Sequence, residues 1–319
     1  MMRGRFAPTP SGDLHIGNAL TAMLAWLQVR KNGGTFVLRI EDLDRPRCRP
    51  TFYRRICEDL RWLGLDWDEG PDVGGGYGPY EQGKRGQLYE AAFARLEKAG
   101  RLYPCFCSRK ELRTLASAPH GLSSLGPAYP GLCRGLSAKE REARAKGKRP
   151  SHRFAVPDEP VAFDDAVMGR QTYSPGSGGD FVVKRADGIM SYQLAVVVDD
   201  AEMDITHVLR GADLLDSTVR QILLYRALRL PVPKFAHVPL IYGPDGQRLS
   251  KRHGEWITVS RLRENGVSAQ RLMGILAFLA GLLEQPESLA LEELLSHFTV
   301  ETIREDDIHL DEPFVSKWF

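Results

Sequence analysis

The feature that most constrains the fold is an alternation of short apolar strands with amphipathic helices along residues 1–103. Apolar residues recur at helical spacing in some segments and form short buried-strand patterns in others. Such alternation favours a parallel sheet whose strands are joined by helical crossovers. The predicted strands are Arg3–Ala7 and Thr35–Ile40, and the predicted helices are Asn18–Lys31, Thr51–Leu63 and Lys84–Ala99.

The alternation is interrupted once and then resumes, which predicts four segments. Residues 1–103 form the first half of an α/β domain, and residues 104–185, rich in proline, glycine and short strands, form an insertion. Residues 186–257 complete the domain with "AVVVDD", "ITHVLRG" and a helix at Ser217–Leu228, and Pro244-Asp245-Gly246 marks a tight turn before "RLSKR". Residues 258–319 form a small helical domain, and the helical pattern is strongest at Gln270–Leu283.

Composition excludes several classes of protein. The chain has 319 residues and a net charge of +2, so a surface for a polyanion must be local. It has no apolar run of membrane-spanning length, and its N-terminus lacks a signal-peptide core, which predicts a cytoplasmic protein without a membrane partner. Five cysteines, an odd number, argue against a disulfide framework.

The stretch "APTPSGDLHIG", Ala7–Gly17, lies where the first strand passes into the first helix. Ligands of parallel sheets bind beside the carboxyl ends of strands, and a helix start offers free N–H groups to a phosphate. Gly12 and Gly17 allow close approach of the backbone to a nucleotide, and His15 is a candidate donor to a phosphate in the transition state. The alternative for this stretch is a stiff turn with an exposed histidine.

The second candidate is Lys251 in "RLSKR", Arg248–Arg252. A lysine in a loop after a tight turn can reach a triphosphate and balance its charge. Taken alone, such a segment is usually a solvated basic loop.

The third candidate is a metal site in the insertion. Cys105 and Cys107 stand in "CFC", and Cys133 ends "YPGLC". Three thiolates in two clusters suit a tetrahedral Zn²⁺ site that needs a fourth ligand, for which His120 is available. The alternative is a set of reduced, buried thiols.

Together these motifs resemble the class I aminoacyl-tRNA synthetases, in which "HIG" and "LSK" jointly hold ATP. "RFAPTPSGDLHIG", "LRIEDLD" and "ITHVLRGAD" are similar to the glutamyl members of the class. The stretch "SYQLAVVVDD…VLRGADLLDSTVRQILLY" is similar to the short glutamyl-Q tRNA(Asp) synthetases, paralogues that modify a tRNA base. The resemblance covers most of residues 3–255. It implies a Rossmann-type catalytic core with a zinc-bearing insertion and a small C-terminal helical domain.

The resemblance also implies the roles of individual residues. His15 and Lys251 are the expected catalytic residues, and Gly12 and Gly17 join them in binding ATP. Tyr129 is the expected fourth ligand of a structural Zn²⁺, in preference to His120. Asn18 departs from the class pattern, which has a histidine there. The expected glutamate contacts are Arg5, Phe6, Ala7, Pro8, Thr9, Glu41, Tyr192 and Arg210.

Their chemistry fits an amino acid with two carboxylates and one ammonium. Arg5 and Arg210 are candidate carboxylate forks, Glu41 is a candidate partner for the ammonium, and Tyr192 adds a hydroxyl. The alternative for Glu41 is a surface salt-bridge cluster.

The expected function is activation of L-glutamate with ATP and Mg²⁺, without tRNA, and its transfer to the queuosine base at the wobble position of tRNA(Asp). Because the sequence ends at Phe319, we expect no counterpart of the anticodon-binding domain of longer glutamyl-tRNA synthetases, and we expect a monomer. Basic runs at Arg45–Arg55 and Lys139–Arg153 are candidate phosphate contacts. Two alternatives are a truncated glutamyl-tRNA synthetase that charges a tRNA 3′ end and a non-catalytic RNA-binding paralogue.

Overall fold

A computed structural model describes residues 1–108, 111–112, 129–249 and 257–319 of the chain. His120 and Lys251, both named above, lie outside these residues. The described strands are β1 (Arg3–Phe6), β2 (Thr35–Leu38), β3 (Leu102–Cys105), β4 (Ser151–Phe154), β5 (Val161–Asp165), β6 (Gly169–Tyr173), β7 (Phe181–Lys184), β8 (His207–Gly211), β9 (Lys234–Val238), β10 (Ile241–Tyr242) and β11 (Ile308–His309).

The α-helices of the described part connect these strands and cover the C-terminal end of the chain. They are α1 (Ile16–Lys31), α2 (Pro50–Trp62), α3 (Gly86–Lys98), α4 (Ala138–Ala145), α5 (Tyr192–Glu202), α6 (Leu215–Leu228), α7 (Val259–Glu264), α8 (Ala269–Ala280), α9 (Leu291–His297) and α10 (Glu312–Trp318).

The central sheet has the strand order β2-β1-β8-β9-β5-β6 in the described residues. Every pairing in it is parallel except that of β5 with β6, which are adjacent in the chain and antiparallel. Strands β1, β2, β8 and β9 therefore all end at one edge of the sheet. That edge is where a parallel sheet positions a ligand.

Helix α1 lies against this sheet and is buried nearly all round, because the C-terminal helices α8 and α9 cover its other side. The predicted helix began at Asn18, but the structure begins it at Ile16, because the side chain of His15 caps the first turn. It ends at Lys31 as predicted, followed by Gly33 with a φ of 57°.

Strand β2 is shorter than the predicted Thr35–Ile40. It ends at Leu38, since the N–H of Ile40 instead donates to the carbonyl of Tyr80 at 2.8 Å. The "AVVVDD" stretch lies in helix α5, in which every residue from Gln193 to Asp200 is buried. The turn at Pro244-Asp245-Gly246 is confirmed, because the N–H of Gly246 donates to the carbonyl of Gly243 at 2.9 Å.

The segment 104–185 divides between two sheets. Strands β3, β4 and β7 form a separate antiparallel sheet, whereas β5 and β6 join the central one through the pairing of Asp165 with Phe235. The C-terminal helices share one hydrophobic cluster with α1. The predicted domain boundaries stay a prediction. Among the described helices, none has both the length and the apolar character needed to cross a membrane.

Candidate active site

A cavity of about 430 Å³ opens at the carboxyl edge of the central sheet. The ends of β1 and β8, the start of α1 and the residues after β2 form its walls. It brings together every predicted glutamate-binding and ATP-binding residue that the structure describes. These are Arg5, Phe6, Ala7, Pro8, Thr9, Gly12, His15, Gly17, Glu41, Tyr192 and Arg210.

His15 stands at the boundary between the proline-rich turn and α1. Its Nδ1 accepts a hydrogen bond from the backbone N–H of Asn18 at 3.3 Å, so in the neutral ring the proton lies on Nε2. Gly17 leaves space for this ring, because a Cβ there would lie 3.1 Å from the imidazole. The capping bond thus makes Nε2 the donor atom of the neutral ring, and His15 lines the cavity.

The described residues on either side of 250–256 are tied to this cavity. Leu249 lines it and donates its N–H to the carbonyl of Ile241 at 2.8 Å. Arg248 also lines it and forms an ion pair with Asp213 at 2.8 Å. On the far side, Thr258 forms a β-bridge with His15. Lys251 itself lies outside the described residues.

Behind the cavity lies a network of buried charges centred on Arg39. Its guanidinium contacts Asp200 at 2.6 Å and Glu41 at 3.2 Å, and Asp200 also accepts from Nε of Arg5 at 3.1 Å. Burial acts to raise the pKa of Asp200, but the two arginines lower it below its usual range. Burial raises the pKa of Glu41 despite the opposing effects of Arg39 and Arg5. Glu41 is therefore buried in this network and not part of a surface salt-bridge cluster.

Arg210 is held differently. Its Nε donates to Nε2 of His237 at 3.0 Å and its Nη2 to the hydroxyl of Thr218 at 2.8 Å. Its Nη1 is buried and has no hydrogen-bond partner in the described part of the chain. Burial lowers the pKa of Arg210, because no carboxylate of the described residues lies within ion-pair distance of it.

His237 is in turn held by Asp165, at 2.5 Å from its Nδ1. Burial lowers the pKa of His237 to about 4, against the raising effect of the Asp165 hydrogen bond. The imidazole is therefore neutral at pH 7, with its proton on the side of Asp165 and its Nε2 lone pair facing Arg210. Asp165, His237, Asp200 and Arg39 were not predicted from the sequence; a histidine inside the apolar strand "KFAHV" is the signal that could have identified His237.

The three predicted cysteine ligands also come together. The sulfurs of Cys105, Cys107 and Cys133 lie within 4.8 Å of one another, and the distance between the sulfurs of Cys107 and Cys133 is 3.7 Å. The hydroxyl of Tyr129 lies 3.4 Å from the sulfur of Cys105 and 3.5 Å from that of Cys107. The guanidinium of Arg153 stacks on the Tyr129 ring at 3.8 Å.

The sequence profile of the family described as tRNA synthetases class I (E and Q), catalytic domain, matches residues 1–310. The chain belongs to this family. The resemblance stated above and the Rossmann-type core of a class I synthetase are thereby confirmed.

Individual relatives are similar over most of the chain. A protein of Symbiobacterium thermophilum named glutamyl-Q tRNA(Asp) synthetase is 61% identical over 97% of this chain and 96% of its own length. A protein of the same name from Nitratidesulfovibrio vulgaris is 50% identical over 89% of this chain and 87% of its own length. The crystal structure of the glutamate-tRNA synthetase of Elizabethkingia anophelis is 28% identical with a TM-score of 0.86, and the match covers 99% of this chain and 69% of that one.

This class I synthetase has a second cavity, of about 700 Å³, that adjoins the first. Thr9, Glu41 and Tyr192 line both. Its lining also includes Arg153 of β4 and Cys107, which follows β3. The second cavity therefore has Thr9, Glu41 and Tyr192 in common with the first and also borders the cysteine group through Cys107.

Proposed function

We propose that this synthetase activates L-glutamate with ATP and transfers the glutamyl group to the queuosine base of tRNA(Asp). The observation that carries the proposal is the match over nearly the whole of both chains to the Symbiobacterium relative of that name. The geometry of the first cavity supports the activation step, and the second cavity supports the transfer step. A tRNA substrate also favours the cytoplasm as the compartment, and a monomer stays our expectation.

Glutamate binding follows from the charges of the first cavity. Arg210 has an unpartnered, buried Nη1, so it can pair with the side-chain carboxylate of glutamate. The α-carboxylate has to stay free to react, and we assign the ammonium to Glu41, a carboxylate that lines the same cavity. Tyr192 and the backbone of Phe6–Thr9 complete the walls.

In the activation step, an oxygen of the α-carboxylate attacks the α-phosphorus of ATP. The bond from that phosphorus to the bridging oxygen breaks, and pyrophosphate leaves with the electron pair. Nε2–H of His15 and the ammonium of Lys251 stabilise the negative charge that grows on the phosphate oxygens. Mg²⁺ bound with ATP would neutralise further charge on the leaving oxygens. Gly12 and Gly17 lie on the wall where the nucleotide would bind.

The cysteine group fits a structural Zn²⁺ with Tyr129 as the fourth ligand. A tetrahedral ion with zinc–sulfur bonds of about 2.3 Å holds its sulfurs about 3.8 Å apart and a phenolate oxygen about 3.5 Å from each. The distance of 3.7 Å between the sulfurs of Cys107 and Cys133 and the distances of 3.4 and 3.5 Å from the Tyr129 oxygen to the sulfurs of Cys105 and Cys107 agree with those values. Bound there, the ion would fix the loop ends that carry these side chains.

Transfer requires the acceptor hydroxyl to reach the glutamyl carbonyl carbon. The hydroxyl oxygen attacks that carbon, its proton leaves to solvent, and AMP departs. The second cavity is the opening that shares a wall with the amino acid site, so it is where the modified base would enter.

The test separates the steps. Purified enzyme should exchange pyrophosphate into ATP when glutamate is present and tRNA is absent. It should then label tRNA(Asp) that carries queuosine but not tRNA(Asp) without it, and nuclease mapping should place the label in the anticodon loop. Label at the 3′ end, or on tRNA(Glu), would instead support a truncated glutamyl-tRNA synthetase. No exchange by folded enzyme would reject the activation step.

A further inference from the structure

The buried arginines around the first cavity differ in what holds them. Arg5 pairs with Asp200, Arg39 with Asp200 and Glu41, and Arg85 with Asp199 at 2.6 Å. Arg210 is equally buried, at 4% exposed, yet its Nε meets a neutral imidazole. A carboxylate in that place would have compensated the charge of Arg210 and competed with a carboxylate of the substrate.

Asp165 is fixed by the sheet rather than by Arg210. Its Oδ1 accepts from the backbone N–H groups of Val167 at 3.1 Å, Met168 at 2.9 Å and His237 at 3.0 Å, and these belong to the β5–β6 turn and to β9. Its Oδ2 takes Nδ1–H of His237 at 2.5 Å. Both oxygens are thus used, and the imidazole has one orientation and one tautomer.

We infer that Asp165 and His237 are positioning residues for Arg210. They orient its guanidinium through the hydrogen bond at Nε and leave its charge and its Nη1 available to the substrate carboxylate. The hydroxyl of Thr218 supports the same arrangement, lying 2.8 Å from Nη2 of Arg210 and 3.1 Å from Nε2 of His237. The neutral imidazole of His237 lies between the carboxylate of Asp165 and the guanidinium of Arg210 and keeps these two charges from forming an ion pair. This inference rests on the proposed function, since it takes glutamate as the ligand.

Three variants separate orientation from simple packing. His237→Leu keeps bulk but offers Arg210 no acceptor. His237→Gln keeps an amide oxygen near the position of Nε2. In Asp165→Asn the amide donates to Nδ1, which moves the ring proton to Nε2, where it opposes the N–H of Arg210. A matched control is Gln221→Leu, an equally buried polar residue on α6 that hydrogen-bonds Gln193 and not Arg210.

The experiment measures pyrophosphate exchange without tRNA, glutamate binding by calorimetry, and thermal melting. His237→Leu and Asp165→Asn should raise the KM for glutamate about tenfold, as expected for a lost hydrogen bond to a charged group, with the KM for ATP unchanged. His237→Gln should recover most of that loss, and Gln221→Leu should lower only the melting temperature. A ¹⁵N spectrum of the wild-type histidines should show His237 protonated on Nδ1 alone.

The outcomes are distinct. Equal KM values for His237→Leu and His237→Gln, or a parallel rise in the KM for ATP, would overturn the positioning role. If His237→Leu does not fold, the ¹⁵N spectrum decides, because a proton on Nε2 of wild-type His237 contradicts the arrangement. Wild-type enzyme that binds no glutamate would reject the proposed function instead.

Discussion

At the scale of single residues, the buried arginines of the first cavity and of the charge network behind it differ in whether carboxylates neutralise them. Arg39 contacts two carboxylates, whereas Nη1 of Arg210 has no partner among the described residues. Burying a cation without a carboxylate is costly, and a substrate carboxylate can offset that cost. We therefore propose that Arg210, with its Nη1 unpartnered in the described part of the chain, is the residue that selects an anionic substrate.

Arg210→Gln should accordingly weaken glutamate binding. Removing a charge-assisted hydrogen bond of about 2 kcal/mol corresponds to an increase of about thirtyfold in the KM for glutamate. The KM for ATP should stay within about twofold, since the nucleotide contacts are made elsewhere. Steady-state pyrophosphate exchange measures both constants. Arg170→Gln is the control, because Arg170 is an exposed arginine of β6 that pairs with Asp164; an equal effect of the two variants would contradict the assignment.

Lys251→Ala should show the opposite pattern. Loss of a preorganised donor that acts on transition-state charge costs about 3–4 kcal/mol, which lowers kcat by a factor of about 10²–10³. The KM for glutamate should change little, because the lysine is proposed to act on the phosphates. Single-turnover formation of glutamyl-adenylate measures the step directly. Lys251→Arg keeps the charge and should retain part of the rate; a raised KM with normal kcat would show that the proposed role is wrong.

The family resemblance assigned Arg5, Glu41, Tyr192 and Arg210 to the site, and the charge or hydroxyl that each carries agreed with that assignment. The sequence could not supply their partners. Asp200 contacts Arg5 across 195 positions of the chain, and this contact exists only once α5 packs behind β1. The long-range register of a sheet is not encoded in any one short motif.

At the scale of elements, short sequence motifs predict where a helix ends, whereas the pairing of a strand depends on contacts with distant parts of the chain. Helix α1 ends at Lys31 because an asparagine and a glycine follow it, which is readable locally. Strand β5 joins the central sheet through one pairing with β9, although its own segment is rich in turn residues and antiparallel hairpins. Nothing in residues 161–173 alone specifies that partner.

The contact between α2 and α7 predicts a pH-dependent stability. Asp59 on α2 is fully buried, its carboxylate oxygens have no hydrogen-bond partner in the described residues, and Arg263 on α7 lies 3.5 Å away. Burial raises the pKa of Asp59 to about 7, against the lowering effect of Arg263. In the unfolded chain this pKa is about 3.9, so the native state binds more protons and stability falls as the pH rises from about 4 to 7.

Asp59→Asn should therefore stabilise the protein at pH 8 by about 1–3 kcal/mol and change its stability little at pH 4. Melting temperatures at the two pH values measure the difference. Glu58→Gln, at the exposed neighbouring position of α2, should shift neither. An equal loss of stability by Asp59→Asn at both pH values would mean that the pair with Arg263 dominates.

The cysteine group predicts that zinc removal affects one sheet and not the other. Chelation should speed hydrogen exchange in β3 and β4, which carry or flank the ligands, and leave β1 and β8 protected.

Tyr129→Phe should weaken zinc binding by a factor of about 10–100 while keeping the ring under Arg153. Colorimetric zinc release measures the affinity. Cys48→Ser should retain the metal; three freely reactive thiols in freshly purified enzyme would contradict the site.

At the scale of the whole molecule, the proposed reaction divides between the smaller and the larger of the two cavities. Glutamate and ATP would meet in the smaller cavity, at the edge of the central sheet, and the tRNA would approach from the larger one. Thr9, Glu41 and Tyr192 form the wall between them. The two steps should therefore respond differently to the ionic strength of the solution.

Raising the salt concentration from 50 to 200 mM should slow transfer far more than activation. Each phosphate contact of a tRNA releases counterions, so kcat/KM for transfer should fall at least about tenfold, whereas pyrophosphate exchange should change less than about threefold. Lys139→Gln with Lys146→Gln removes two exposed charges at α4 and should flatten the salt dependence of transfer by up to about one unit of slope per lysine that contacts a phosphate. Arg170→Gln should leave that slope unchanged. Equal salt sensitivity of both steps would show that the polyanion does not enter at the second cavity alone.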